Sequence, residues 1–264
     1  MKKLLKDILR EITPTEKEHE REKKIIEEIK KYIEGEGVKP ILVGSLAKGT
    51  DLRGDKDIDI FIMFHRDVSR EELEMRGLDI GEKLFKKLGA GYEIDYAEHP
   101  YVVGCYGGYN IDLVPCYETR EPKSSVDRTP YHTQYVKKKL RKNKELRNEI
   151  LLLKQFMKGI RVYGAEAKIQ GFSGYLLELM IINYGTFSDT LKAAGGWQFR
   201  EVIDSEHIWE NKENLKHFFP DAAIIVVDPV DENRNVAAAV SKQKIARFMV
   251  SARRFLKDPG REFF

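Results

Sequence analysis

From Asp57 to Ile62 the sequence alternates acidic or aromatic residues with isoleucine, and it is wholly apolar from Ile60 through Phe64. Few folds admit that pattern. Successive side chains on a strand point to opposite faces, so Asp57 and Asp59 share one face while Ile58, Ile60 and Ile62 enter a core. Two neighbouring carboxylates repel each other, and burying them uncompensated is costly. A hard divalent cation bound through oxygen relieves the repulsion, and Mg²⁺ with substrate phosphates is the common case. Asp-X-Asp alone would equally suit a solvated surface strand, so the context decides. A glycine-serine turn suited to phosphate, Gly44-Ser45-Leu46-Ala47-Lys48-Gly49-Thr50, lies just upstream, and a lone aspartate, Asp112, interrupts the apolar run Ile111-Asp112-Leu113-Val114. If those two strands are neighbours, three carboxylates converge, and divalent metal with a nucleoside triphosphate is the leading reading. Asp55 shares the parity of Asp57 but sits in the turn at Gly54, and reads as a loop acid.

The flanking segments predict an α+β architecture. Thr13, Pro14 and Glu16 read as an N-cap, first helical position and capping-box partner, opening a helix that carries Ile25, Ile26, Ile29 and Tyr32 and ends at Gly35 and Gly37. Pro40 to Val43 reads as a short buried strand. Ser69 with Glu72 opens a helix running to Leu88, with Val68 stapled onto Leu73 and Gly89 stopping it. Tyr92, Ile94 and Tyr96 alternate with acids as in a half-exposed strand. Tyr101-Val102-Val103 and Ile111 to Val114 flank Gly107-Gly108 as a hairpin. From about residue 141 the pattern turns helical: Asn143 caps a helix bearing Leu146, Ile150, Leu153, Met157 and Ile160, and helices follow at 173–182 and 242–255. Residues 222–227 read as a lone apolar strand. The expected division is a catalytic head at 1–140 and a mostly helical domain at 141–264 that completes a nucleotide pocket.

The 264 residues suffice for two cores. A net charge of +3 permits a nucleic-acid partner without requiring one. Lys137, Lys138, Lys139, Arg141, Lys142 and Lys144 form a basic run that is either a solvated helix end or an RNA-phosphate contact. Cys105 and Cys116 are too few for an ordinary zinc site. The start, Met1-Lys2-Lys3-Leu4, is not a signal peptide, and no apolar run approaches the roughly 18–20 residues of a membrane span. The expectation is a soluble, cytoplasmic protein with no membrane partner and reduced thiols.

Residues Val43 to Ile62 resemble the active-site segment of archaeal, class I CCA-adding tRNA nucleotidyltransferases, members of the polymerase-β-like nucleotidyltransferase superfamily. The resemblance continues through Ala97 to Tyr101, Val114 to Tyr117, Val126 to Pro130, Tyr163 to Glu166, Gly171 to Tyr175 and Val227 to Asp231. It therefore covers nearly the whole chain, in order. It implies a polymerase-β-like head, a mixed sheet with helices, plus a helical second domain. It further implies template-independent addition of C and A from CTP and ATP to the 3′ end of tRNA, releasing pyrophosphate. Asp57, Asp59 and Asp112 match positions that hold two Mg²⁺ ions. Gly44, Ser45 and Lys48 match the triphosphate-binding turn, and His132, Lys154 and Tyr163 match further nucleotide-binding positions. Arg234 matches an arginine that helps read the incoming base. Some relatives have arginine at Lys48 and glutamate at Asp57. The family continues beyond Phe264 with a body and tail that grip tRNA, and it is dimeric, so the resemblance implies a homodimer. Two other readings remain: a tail-less nucleotidyltransferase acting on another RNA, an oligonucleotide or a protein acceptor, and an inactive RNA-binding relative.

Overall fold

The computed structural model describes residues 1–119 and 124–264. In chain order the elements begin with α1 (Lys2–Ile12), α2 (Glu16–Gly35), β1 (Lys39–Leu42), α3 (Gly44–Lys48), β2 (Asp57–Phe64) and α4 (Arg70–Leu88). Next come β3 (Tyr92–Tyr96), β4 (Pro100–Tyr106), β5 (Tyr109–Tyr117), α5 (Ser125–Lys142), α6 (Leu146–Gly159) and α7 (Gly174–Tyr184). The last are α8 (Phe187–Gly196), β6 (Glu201–Ile203), α9 (Lys212–Phe218), β7 (Ile224–Asp228), β8 (Asp231–Asn235) and α10 (Lys242–Lys257). They form two compact units, residues 14–134 and residues 1–13 with 135–264. Grouping α1 with the head by sequence proximity does not match this division. Its one fully buried side chain, Ile8, enters the same core as Ile150 and Leu153 of α6.

In the 14–134 unit, α2 starts later than the Thr13-Glu16 pair predicts. Thr13 closes α1 instead: its N–H and its hydroxyl both donate to the Leu9 carbonyl, at 3.0 and 2.6 Å. Thr15 is the true N-cap, accepting from the Glu18 N–H while the Glu18 carboxylate accepts from the Thr15 N–H at 2.7 Å. Ser69 caps α4 as expected, accepting from the Glu72 N–H at 3.1 Å, and Gly89 ends it in the left-handed region.

The sheet of this unit has five strands in the order β1-β2-β5-β4-β3. β2 and β5 run parallel, whereas β1–β2, β5–β4 and β4–β3 are antiparallel. The β2–β5 register pairs Asp59 with Asp112 and Asp57 with Asn110. Strand alternation then sorts the faces. Ile58, Ile60, Ile62, Ile111 and Leu113 join Ile29 and Ile33 of α2 and Leu84 and Phe85 of α4 in the main core. Each such side chain contributes about 1.5–3 kcal/mol of burial. The opposite face carries a smaller cluster of Val43, Phe61, Val114, Cys116 and Val126. Both aspartate-bearing positions fall on that second face.

The other unit is built on an aromatic core. Phe156 of α6 makes edge contacts with Phe187 and Phe255, with ring centroids 5.5 Å apart in each case. Asn143 does not cap α6 directly; it accepts from the Glu145 N–H at 3.1 Å, in the turn ahead of the helix. The apolar stretch at 222–227 is not a lone strand. β7 is the centre of a three-stranded sheet, parallel to β6 and antiparallel to β8. Its neighbours carry little strand signal, since β6 is three residues long and β8 reads Asp-Glu-Asn-Arg-Asn. Asn235 compensates: its buried amide accepts from the Val226 and Ala237 N–H groups at 2.9 and 3.0 Å and donates to the Ile224 carbonyl at 3.0 Å. Among the described residues, no helix is long and apolar enough to cross a membrane.

Candidate active site

The chain leaves β1 at Val43, whose N–H donates to the Asp59 carbonyl at 3.0 Å, so the following turn is anchored over β2. Gly44 then adopts φ +70°. A Cβ at this position would stand 1.9 Å from Asp59 Oδ2, which means the turn's backbone lies directly against the carboxylate. Only glycine satisfies both the backbone angle and the approach. α3 follows at once, carries Ser45 and Lys48, and ends at left-handed Gly49. On the neighbouring strand Asp112 faces the same way as Asp59, and the Asn110 amide donates to Asp57 Oδ1 at 3.1 Å.

The charges of this cluster interact strongly. Burial raises the Asp59 carboxyl above its ordinary range, and the Asp57 charge adds to the effect while Lys48 opposes it. Asp112 is pushed up to about 7 by burial, then by the charges of Asp59, Asp57 and Asp95. The neighbouring Tyr101 phenol is pushed up to about 12 by burial and by Asp112 and Asp95, and it donates to Asp95 Oδ2 at 3.2 Å. An all-oxygen set of partly buried carboxylates that disfavour one another's ionised form fits a hard divalent cation. The chemistry open to such a site is metal-assisted transfer at a phosphate.

The other sequence-derived residues lie elsewhere. His132 is buried in α5 of the same unit. Lys154, Tyr163 and Arg234 belong to the other unit, where a second polar constellation forms. Lys154 Nζ is 3.5 Å from Glu178 Oε1, with both side chains almost fully buried. Gly174, at the start of α7, lies beneath them: a Cβ there would be 3.1 Å from the Tyr163 hydroxyl and 3.6 Å from Lys154 Nζ. Asp228, wholly buried at the end of β7, accepts from Arg234 Nη1 at 2.7 Å and from the Tyr175 hydroxyl at 3.0 Å. Glu178, Tyr175 and Asp228 did not emerge from the sequence as site residues. Their signal was present, because Glu178 interrupts Leu176-Leu177-Glu178-Leu179-Met180 and Asp228 ends Ile224 to Val227, much as Asp112 interrupts its own strand. In the basic run, Lys139 is engaged by Glu206, while Lys138, Arg141, Lys142 and Lys144 are exposed.

A nucleotidyltransferase domain family matches residues 22–147, and the second-domain family of tRNA nucleotidyltransferases matches residues 148–264. Fold and site thus define a nucleotidyltransferase, a class that works with divalent metals. The CCA-adding enzyme of Methanocaldococcus jannaschii is 42% identical over 100% of this chain and 61% of its own length. That of Archaeoglobus fulgidus is 43% identical over 100% of this chain and 58% of its own, and that of Pyrococcus abyssi 41% over 100% and 61%. The chain thus carries, in order, the two domains of a tRNA nucleotidyltransferase and is similar to archaeal CCA-adding enzymes along its whole length. It spans about three-fifths of the length of these curated relatives. Solved structures of a cytoplasmic RNA terminal U-transferase and of the Cid1 poly(U) polymerase with Mg 3′-dATP superpose with TM-scores of 0.78 and 0.79. They share 14% and 13% sequence identity and cover 98% of this chain, with 94% and 95% of their own chains covered. At those identities the likeness establishes the fold, an α+β nucleotidyltransferase fold of the polymerase-β type.

Proposed function

We propose that the chain catalyses template-independent transfer of cytidylate and adenylate from CTP and ATP to the 3′ end of tRNA, with release of pyrophosphate. The observation that carries this reading is the register of β2 and β5. It sets Asp59 beside Asp112, with Asp57 on the same face, directly beneath a glycine-serine turn. Identity above 40% with CCA-adding enzymes along the whole chain supports the choice of acceptor and nucleotides.

Asp57, Asp59 and Asp112 would hold two Mg²⁺ ions. When bound, these lower the pKa of the acceptor hydroxyl and neutralise charge on the triphosphate and the leaving pyrophosphate. The chain's own groups do the positioning. Ser45 and Lys48 on α3 bind the triphosphate. The Gly44 backbone fixes the direction of the Asp59 carboxylate, and Asn110 orients Asp57. Lys48 supplies a point charge where a relative's arginine supplies a fork, which keeps attraction for phosphate but relaxes geometry. We assign His132, Lys154 and Tyr163 to nucleotide binding and Arg234 to reading of the base, with Asp228 holding the guanidinium.

Incubation with tRNA lacking its terminal CCA, Mg²⁺ and labelled CTP or ATP tests the reading. Incorporation by the wild-type chain that is lost in Asp59→Ala is the expected result. Absent incorporation by the wild type, or undiminished incorporation by Asp59→Ala, refutes it. A marked preference for an oligonucleotide or protein acceptor in the same assay would keep the chemistry and replace the acceptor.

A further inference from the structure

β3 is the last strand of the five-stranded sheet and presents an open edge. Its residues Tyr92 to Tyr96 pair with Gly104 to Pro100 of β4 in continuous register. The Cys105 N–H donates to the Gly91 carbonyl and the Ala97 N–H to the His99 carbonyl, each at 3.3 Å, which fixes the phase of the ladder. The odd-numbered residues turn their backbone groups to β4, so Tyr92, Ile94 and Tyr96 turn theirs outward. Asp95 Oδ1 accepts from the Tyr96 N–H at 2.7 Å and closes one end of the edge. The Ile94 N–H and carbonyl lie at its middle, pointing away from the sheet.

The side chains along this edge are apolar on one face and acidic on the other. Among the described residues of the 14–134 unit, the exposed large apolar side chains are Met75, Ile94 and Tyr96, at 66%, 41% and 74%. They gather in one place. The Tyr92 hydroxyl donates to Glu82 Oε2 at 3.1 Å and Arg70 Nη2 to the Glu98 carbonyl at 2.7 Å, so α4 runs antiparallel beside β3. Met75 precedes Glu82 by two helical turns, or about 10 Å, and so comes level with the Ile94–Tyr96 end of the strand. The opposite face of β3 bears Glu93 and Asp95, both exposed.

We propose that the outer edge of β3 is a docking strand for another protein, which adds an extended segment of alternating basic and apolar residues. The backbone of such a segment would bond to Ile94 and its outward neighbours, as in other strand additions. Its apolar side chains would cover Met75, Ile94 and Tyr96, and its basic ones, two residues apart, would face Glu93 and Asp95. A second copy of this chain is the wrong partner. Antiparallel pairing of two β3 strands about Ile94 sets Glu93 of each copy opposite Asp95 of the other, and like charges so placed destabilise a sheet. Lysine, proline or a bulge would blunt the edge against every strand, and Tyr-Glu-Ile-Asp-Tyr has none of them. The acids exclude self-pairing and admit a basic strand. They also repel the phosphates of RNA. This inference is independent of the proposed nucleotidyl transfer.

Titration of the full chain with two labelled peptides, Thr-Lys-Val-Lys-Val-Lys-Thr and Thr-Glu-Val-Glu-Val-Glu-Thr, tests it. Fluorescence anisotropy reads binding, and hydrogen exchange at the Ile94 amide reads its place. The lysine peptide should bind about tenfold or more tightly than the glutamate peptide and slow exchange at Ile94 about tenfold. Ile94→Pro removes the outward N–H and keeps the bonds to β4, since an edge strand tolerates proline there. It should weaken the lysine peptide about tenfold or more. Glu93→Lys keeps the edge and should erase the preference between the two peptides, an effect that misfolding does not produce. Far-UV circular dichroism checks that each variant is folded. Absent binding of the lysine peptide, equal binding of both peptides by the wild type, or undiminished binding in Ile94→Pro overturns the inference. Shielding of Ile94 by self-association overturns it as well, by assigning the edge to a second copy. So does shielding by an RNA oligonucleotide in place of the peptide, which assigns the edge to nucleic acid.

Discussion

Replacing Gly44 by alanine separates what the turn does for stability from what it does for chemistry. At φ +70° an L-residue costs about 1–2 kcal/mol relative to glycine. The added methyl also meets Asp59, with the Cβ 1.9 Å from Oδ2, 2.9 Å from Cγ and 3.3 Å from the Asp59 Cβ. Ordinary contact needs about 1.5 Å more room than the Oδ2 distance allows. The strand holds the Asp59 backbone, so the carboxylate end must swing aside. Moving a catalytic group by roughly 1 Å can cost about 100-fold in rate. Gly89→Ala is the matched control: φ there is +62°, and a Cβ would find nothing within 4 Å. Both variants should lose about 1–2 kcal/mol in thermal or denaturant unfolding. Only Gly44→Ala should lose nucleotide incorporation, by about 100-fold or more at saturating CTP. Activity of Gly44→Ala within threefold or so of Gly89→Ala would refute the claim that this glycine sets the carboxylate's direction.

Three further outcomes follow from contacts in the unit that contains residues 135–264. Asp228→Asn removes the charge that holds Arg234 while keeping an acceptor for Tyr175, so discrimination among the four nucleoside triphosphates should fall more than kcat for the preferred one, as competition assays would show. Glu178→Leu leaves Lys154 buried without its counter-ion, and unfolding measurements should report a loss of about 3–5 kcal/mol that Lys154→Met in the same chain largely restores. The Glu206 carboxyl is held below its ordinary range by hydrogen bonds from Lys139 and Tyr135. A lowered folded-state value means that its stabilisation is fully present above the unfolded value of about 4.3 and disappears as pH falls through the folded value. Acid titration of stability should therefore show a component below about pH 4.3 that Glu206→Gln abolishes.

The face that carries the aspartates was legible because strand alternation is a local rule. Parity alone placed Asp57 and Asp59 together, and the interrupted apolar run marked Asp112. Their meeting was not local: the parallel register that pairs Asp59 with Asp112 depends on everything folded between them. The start of α2 differs from its sequence signal because two overlapping signals, Thr13-Glu16 and Thr15-Glu18, compete in the sequence, and α1 settles the matter by drawing Thr13 into its own last turn. The sheet around β7 was illegible for a different reason. The strand propensity of β8 is negligible, and its pairing is stabilised by the side chain of Asn235, a contact that no periodicity announces. Glu178 and Asp228 carry a signal in the sequence itself, since each stands in or at the end of an apolar run where a carboxylate needs a partner.

The assignment of α1 to the unit that also contains residues 135–264 has a consequence for how the chain comes into being. Residues 14–134 are contiguous and can close once the first half of α5 has left the ribosome. α1 is made ahead of that unit, yet the core that receives Ile8 is completed by segments synthesised more than a hundred residues later. Through most of translation the apolar stripe of Leu4, Leu5, Ile8 and Leu9 is without its final burial site. α1 is thus made ahead of residues 14–134 yet secured after them, and a lesion in it would damage the unit that contains residues 135–264.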